Sequence, residues 1–277
     1  LSALVLIGPG AAAGPGARAL ADDAADRCPR DVRLGDLGVP PPSPAAMIAS
    51  TWRRAPARGL LAPLGAGPGG SPMTIDLVRE GPHVLVGGTT GSGKSELLTT
   101  LVLGLALAHP PDRLAVLLVD FKGGTGLPAL TALPHVVGHL SDLDAAGASR
   151  TLRGLFAELR RRERVLAAGG ATDLRDLDPA DPGTPPRLVV VIDEFRVLAD
   201  ELPDLLGGLA RLAAQGRSLG VHLLLATQRP SGAVPPDLRA NVALRLVLRV
   251  AEAADSSDLV GVPDAATFDR PGLALLA

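Results

Sequence analysis

Gly88-Thr89-Thr90-Gly91-Ser92-Gly93-Lys94-Ser95 stands between an apolar stretch of strand character, His83 to Val86, and a long apolar stretch of helix character, Glu96 to Ala108. A strand, a glycine-rich loop of pattern G-x-x-x-x-G-K-[ST] and a helix, in that order, make a phosphate-binding loop. The glycines let successive backbone N–H groups turn toward phosphate oxygens, and the following helix adds the positive end of its dipole. Lys94 is then placed to reach the β- and γ-phosphates, and the Ser95 hydroxyl to take a Mg²⁺ ion. The chain holds two lysines, Lys94 and Lys122, each within a glycine-rich run, while arginine fills its other long cationic positions. A lysine kept at this point marks a site that needs a compact ammonium rather than a planar fork. The alternative, a chance glycine turn ahead of a helix, leaves the ordered strand–loop–helix context unexplained. Gly88 to Glu96 therefore reads as the binding segment for a nucleoside triphosphate.

The rest of the composition narrows the class. With 277 residues, 47% hydrophobic and 20% charged, the chain can bury a sizeable α/β core. Aromatics make up 2% and Tyr is absent, so that core must be leucine, valine and alanine. A formal charge of −2 gives no overall attraction to nucleic acid. Cys28, the single cysteine, excludes an internal disulfide and fits a reducing compartment. No apolar run approaches the ~18 residues of a membrane span; the longest, Leu97 to Ala108, is broken by Thr99, Thr100 and Gly104. Leu1 and the apolar Leu273 to Ala277 are expected to be cut ends of something longer, including a C-terminal truncation.

Residues 1–44 read as an N-terminal segment, the end of a preceding domain plus the stiff Pro40-Pro41-Pro42-Ser43-Pro44 linker. Within it, Leu1 to Ile7 has strand character, Ala17 to Arg27 helix character, and Val32 to Leu37 an extended character. Residues 45–277 read as the main domain. Ala45 to Arg54 is a helix, and Leu60 to Gly65 and Met73 to Val78 are strands around a Gly/Pro turn. Beyond Gly81 strands alternate with helices, the pattern of a mostly parallel sheet. The strands are His83–Val86, Leu114–Asp120, Val136–Leu140, Leu188–Ile192, Val221–Ala226 and Val242–Val250. Helices follow the loop lysine and span Leu143 to Ala168 and Pro203 to Ser218. Asp173 to Pro186 is a surface loop.

Three strand ends join the loop at the carboxyl edge, where open α/β sheets bind ligands. Leu188 to Ile192 ends in Asp193 and Glu194. An Asp there holds Mg²⁺, and the Glu accepts a proton from, or orients, the attacking water. The other reading, an exposed acidic turn after a core strand, becomes weak once a phosphate loop precedes it. Gln228 ends the strand Val221 to Ala226, where it either senses the γ-phosphate and positions water or simply caps a buried strand. Lys122, after Asp120, is open between phosphate, a carboxylate and a subunit boundary. Such hydrolases use an arginine to stabilise charge on the transferring phosphoryl group; the candidates are Arg150, Arg153, Arg245 and Arg249. The run Arg160-Arg161-Arg162-Glu163-Arg164 reads as a solvated or intersubunit helix face. The histidines lack metal-ligand spacing.

Together these residues resemble the FtsK/SpoIIIE/HerA group of hexameric motor ATPases, and within it the EccC/EssC motors of type VII secretion. The resemblance is carried by Gly81-Pro82-His83 leading into the loop, Glu96 after it, Val119-Asp120-Phe121-Lys122-Gly123-Gly124, Val191-Ile192-Asp193-Glu194-Phe195, Glu201-Leu202-Pro203-Asp204, Gly216 through Pro230 with Ala226-Thr227-Gln228-Arg229-Pro230, and Gly261-Val262-Pro263-Asp264-Ala265. It covers roughly residues 60 to 277 and leaves 1 to about 44 unmatched. It implies a P-loop NTPase fold of the RecA/ASCE kind and Mg-dependent ATP hydrolysis. By resemblance, Lys94 and Ser95 bind nucleotide and magnesium, Asp193 completes the metal site, Glu194 is the catalytic base, and Arg150 is the intersubunit arginine finger with Arg153 close behind. It further implies a homo-hexamer or tandem sister domains, small helical-hairpin secretion substrates, and a membrane-anchored parent with this domain at the cytoplasmic face. The alternative within the group is a double-stranded DNA translocase; a non-hydrolysing nucleotide-gated module is a third reading, opposed by Glu194.

Overall fold

The computed structural model describes residues 4–7, 29, 32–37, 45–120, 127–141, 145–195, 203–228 and 234–277. The buried run of strand residues expected at the centre of the chain becomes four adjacent parallel strands: β4 (His83–Gly87), β5 (Leu114–Asp120), β7 (Arg187–Asp193) and β8 (Val221–Thr227). Their residues are almost all buried, as continuous Val/Leu/Ile runs must be when both sheet faces are covered. The remaining strands are β1 (Leu4–Ile7), β2 (Leu61–Ala66), β3 (Pro72–Asp76), β6 (Val136–Ser141), β9 (Leu244–Leu248) and β10 (Leu273–Leu276). The sheet runs β3-β2-β1-β10-β9-β4-β8-β7-β5-β6. From β9 to β6 every pairing is parallel, whereas β10 is antiparallel to β9 and β3 to β2.

Helices α1 (Ala45–Arg54), α2 (Lys94–Ala108), α3 (Ala145–Ala168), α4 (Pro203–Leu219), α5 (Pro236–Asn241) and α6 (Ala253–Val260) complete the fold. α2 is apolar on nearly every side and correspondingly buried. Its Gly104 lies where any Cβ would overlap the Pro63 ring, so the helix can approach β2 this closely only with glycine there. The Trp52 indole N–H donates to the Ala106 carbonyl at 3.0 Å and fastens α1 to α2. Two apolar clusters, one on each side of the sheet's strands, are built largely from leucine and valine.

Three expectations change. The sheet carries on across the expected boundary after residue 44: β1 pairs in parallel with both β10 and β2, inside the sheet that bears the phosphate loop. Val32 to Leu37 is not extended; Leu34–Leu37 forms a 3₁₀ turn. The Asp36 carboxylate accepts the Arg33 N–H at 2.8 Å, the local capping bond by which aspartate favours turns. The arginine run on α3 is not a wholly solvated face either. Arg162 is 2% exposed, because Leu155, Leu159, Arg162 and Leu166 fall on one helical stripe. Ala17 to Arg27, Cys28, the Pro40 to Pro44 run and Lys122 lie outside the described residues.

Candidate active site

The phosphate loop hangs between the two strands that flank β4. Gly88 N–H donates to the Thr227 carbonyl at the end of β8 (3.1 Å). On the other side Thr89 N–H and Thr89 Oγ1 both donate to the Arg249 carbonyl just past β9, at 2.9 and 3.0 Å. The Ser92 carbonyl accepts from Gly272 N–H at 2.9 Å, so the turn that leads into β10 also grips the loop. Gly93 closes it at φ 100°, a left-handed conformation in which a Cβ would also press to 3.0 Å from the Gly272 nitrogen. The first N–H groups of α2 follow directly and have no intrahelical acceptor, which leaves them directed toward an anion.

β7 delivers the carboxylates. The Lys94 ammonium donates to Asp193 Oδ1 at 2.8 Å and to Glu194 Oε2 at 3.2 Å, with side chains 7%, 14% and 7% exposed. Glu194 sits at φ 59°, the one described non-glycine residue with positive φ. That left-handed conformation costs about 1 kcal/mol or more and concentrates at functional sites. Here it turns the carboxylate back over the strand end, where its second oxygen accepts Gln228 N–H at 3.3 Å. The Thr90 hydroxyl meets Gln228 Oε1 at 3.1 Å, which joins the loop tip to the end of β8.

Thr89, Thr90, Gly91, Gly93, Lys94, Ser95, Glu96, Asp120, Asp193, Glu194 and Gln228 thus line one cleft of about 340 Å³. Gly88 and Ser92 are buried behind it. Among the described residues no group of three His, Cys, Asp or Glu side chains is arranged as a metal cage. This donor set nevertheless suits magnesium. Mg²⁺ is held by hard oxygen ligands, one or two carboxylates plus substrate phosphates and water, and Ser95 and Asp193 supply such oxygens within the cleft.

The arginines separate. Arg150 and Arg153 are exposed on α3 and do not line the cleft of their own chain; Arg153 instead donates to Ser149 Oγ at 2.7 Å. Arg245 lies along β9, its guanidinium 3.5 Å from the Arg239 carbonyl. Arg249 reaches the loop, with its guanidinium 3.5 Å from the Gly91 carbonyl. Sequence reasoning had no means to single it out, because β9 lies beside β4 only by the order of the sheet. It likewise missed the Gly272 contact.

A family model described as the FtsK/SpoIIIE family matches residues 45–266. The type VII secretion system protein EssC of Staphylococcus aureus strain Mu50 is 37% identical over 237 residues, covering 83% of this chain and 16% of EssC. The solved cytoplasmic domain of the Thermomonospora curvata type VII secretion ATPase EccC superposes with a TM-score of 0.76 at 37% identity, covering 83% of this chain and 28% of that one. A second T. curvata EccC structure, its ATPases 2 and 3 in complex with a signal sequence peptide, gives 0.72 at 29% identity over 85% of this chain and 44% of that one. The chain therefore spans about a sixth of the EssC relative it matches. Among the described residues no helix is long and apolar enough to cross a membrane.

Proposed function

This chain belongs to the FtsK/SpoIIIE family, and from that premise we propose that it is a Mg-dependent ATPase domain of a type VII secretion motor, hydrolysing ATP to drive protein export. The observation that carries the reading is the convergence of Lys94, Asp193, Glu194 and Gln228 on the cleft beneath the phosphate loop. On nucleotide binding Lys94 exchanges its carboxylate partners for the β- and γ-phosphates, while the loop N–H groups cradle the same oxygens. Ser95 and Asp193 would hold a magnesium ion, which would supply neutralisation of charge on the phosphates.

Once Lys94 has turned to the phosphates, Glu194 stays positioned by Gln228 N–H. It takes a proton from a water molecule as that oxygen bonds to the γ-phosphorus and the bond from phosphorus to the β,γ-bridging oxygen breaks. ADP keeps the bridging oxygen, and the proton passes from Glu194 to solvent. The exposed Arg150 is the candidate to enter the cleft of a neighbouring subunit, in a homo-hexamer or between tandem sister domains. Small helical-hairpin proteins are the proposed cargo, and the cytoplasmic face of a membrane-anchored parent the proposed location. The T. curvata peptide complex supports a protein rather than a nucleic-acid cargo.

ATP turnover of the purified chain, with and without double-stranded DNA and with Glu194→Gln as the blank, tests this. Magnesium-dependent turnover indifferent to DNA is expected. Strong, salt-sensitive stimulation by DNA would instead make it a DNA translocase.

A further inference from the structure

At the opposite, amino-terminal edge of the sheet lies a second recess of about 30 Å³, walled by Arg58, Asp112, Arg113, Thr184, Pro185 and Arg187 among others. Its three arginines come from three separate elements: the turn after α1, the residue before β5 and the first residue of β7. The last two are neighbours, because Arg187 N–H donates to the Arg113 carbonyl at 2.9 Å.

The guanidinium groups at this edge are treated unequally. Arg162, 2% exposed, donates to Glu158 at 2.8 Å and to the carbonyls of Leu219 and Pro186 at 2.9 and 2.6 Å. Its charge and its donors are both answered. Arg187 is 8% exposed, yet among the described residues its guanidinium has a single hydrogen bond, to the Arg58 carbonyl at 3.2 Å. Among the described residues no carboxylate lies within ion-pair distance of it; burial disfavours its charge, Asp173 and Asp76 favour it from farther away, and Arg175 and Arg162 oppose it. Buried cations are normally paired, because desolvation without a counter-charge is costly. Arg187 is buried and lines the recess beside Arg58 and Arg113.

We propose that this recess is a binding site for a small oxyanion, a carboxylate or a phosphate group, held by Arg187 from below and by Arg113 and Arg58 at the rim. Guanidinium groups grip either oxyanion by paired N–H donors. The volume of about 30 Å³ suits a single such head group. Pro185 and Pro186 stiffen the wall opposite, and Asp112 is the one acidic side chain of the lining and is exposed to solvent. The site is separate from the phosphate loop and independent of the ATPase reading, since the recess and the cleft share no lining residue.

Calorimetric titration with orthophosphate tests it. Lys94→Ala provides the background, so that phosphate at the loop does not report. In that background a phosphate site is expected to persist, and to weaken at least about tenfold when Arg113→Gln is added. Arg187→Gln is the stronger change; Arg113→Gln, at a half-buried position, keeps the test valid if the former does not fold. An orthophosphate signal that vanishes with Lys94→Ala alone, or that survives Arg113→Gln unchanged, would overturn the proposal. Running the same series with acetate separates the sources. Acetate that matches or displaces phosphate identifies a carboxylate, such as that of an acidic side chain, as the ligand; acetate that does neither identifies phosphate.

Discussion

The two edges of the sheet bury positive charge in opposite ways. At the carboxyl edge Lys94 is held by two side chains, Asp193 and Glu194. At the amino edge the buried polar groups are held largely by main-chain atoms. Arg162 donates to three carbonyls, His83 lies 2.8 Å from the Ala213 carbonyl and accepts Leu223 N–H, and His222 lies 3.1 Å from the Pro82 carbonyl. Side-chain partners can be exchanged for phosphate oxygens without disturbing the chain. Main-chain partners belong to the strands themselves and move only if the sheet opens. One edge is therefore built to change partners and the other to hold the fold.

If that contrast is right, substitutions at the two edges must fail differently. Lys94→Ala should show the largest effect: a turnover loss of about 10³-fold or more, near 4 kcal/mol of transition-state stabilisation. The thermal midpoint should shift by no more than a few degrees, because Asp193 and Glu194 can rehydrate through the open cleft. A collapse of stability in Lys94→Ala would erase the distinction. Arg162→Ala should do the reverse, costing about 3 kcal/mol of stability by stranding Glu158 and several carbonyls, measurable by denaturant titration. Refolded protein should hydrolyse ATP at the normal rate. Glu194→Gln returns to the first edge: turnover should fall about 10²-fold while ATP binding, followed by calorimetry, stays within a few-fold.

The histidines sharpen the contrast through pH. Burial pushes His83 down to about 4 and His222 down to about 3, the latter helped by the nearby Arg187 charge. Both rings are neutral in the folded chain at pH 6, where the unfolded chain already takes up protons. Because the unfolded state binds more protons, stability falls as the pH drops below about 6.5 and levels off only near the folded values. Roughly 1–2 kcal/mol per ring should be lost by pH 5, and replacing His83 by Gln should flatten that slope in unfolding curves taken from pH 7 to 5.

Sequence pattern alone exposed the carboxyl edge far better than the amino edge. Lys94, Ser95 and Asp193 were legible because the loop needs its glycines and lysine at fixed spacing, and because β7 is an uninterrupted apolar run ending in acid. The central strands were legible for the same reason. β10 was not, and β1, though of strand character, could not be placed in this sheet: each is four residues long, and their pairing is set by neighbours far apart in the chain. The Leu34–Leu37 turn was misread because Gly35-Asp36 outweighs the apolar residues on either side. At the amino edge Arg162 looked like one of four solvated arginines until its helical phase with Leu159 and Leu166 turned it inward. Glu194 could be named, but not its positive φ, and neither the Thr90–Gln228 contact nor the approach of Arg249 follows without the strand order.

Gln228 is where the two modes of holding meet in one residue. Its side chain reaches Thr90 on the phosphate loop, and its main-chain N–H reaches Glu194. Gln228→Ala deletes the first contact and keeps the second, so Glu194 remains oriented and the base is intact. The loss should be confined to the tie between the loop tip and β8, a neutral and exposed hydrogen bond worth about 1 kcal/mol. Turnover should then fall about five-fold, with Thr90→Val giving the same change and the double variant no further one. A Gln228→Ala effect as large as that of Glu194→Gln, with Thr90→Val near normal, would mean that the side chain itself positions the attacking water and that the main-chain bond is not what holds the base.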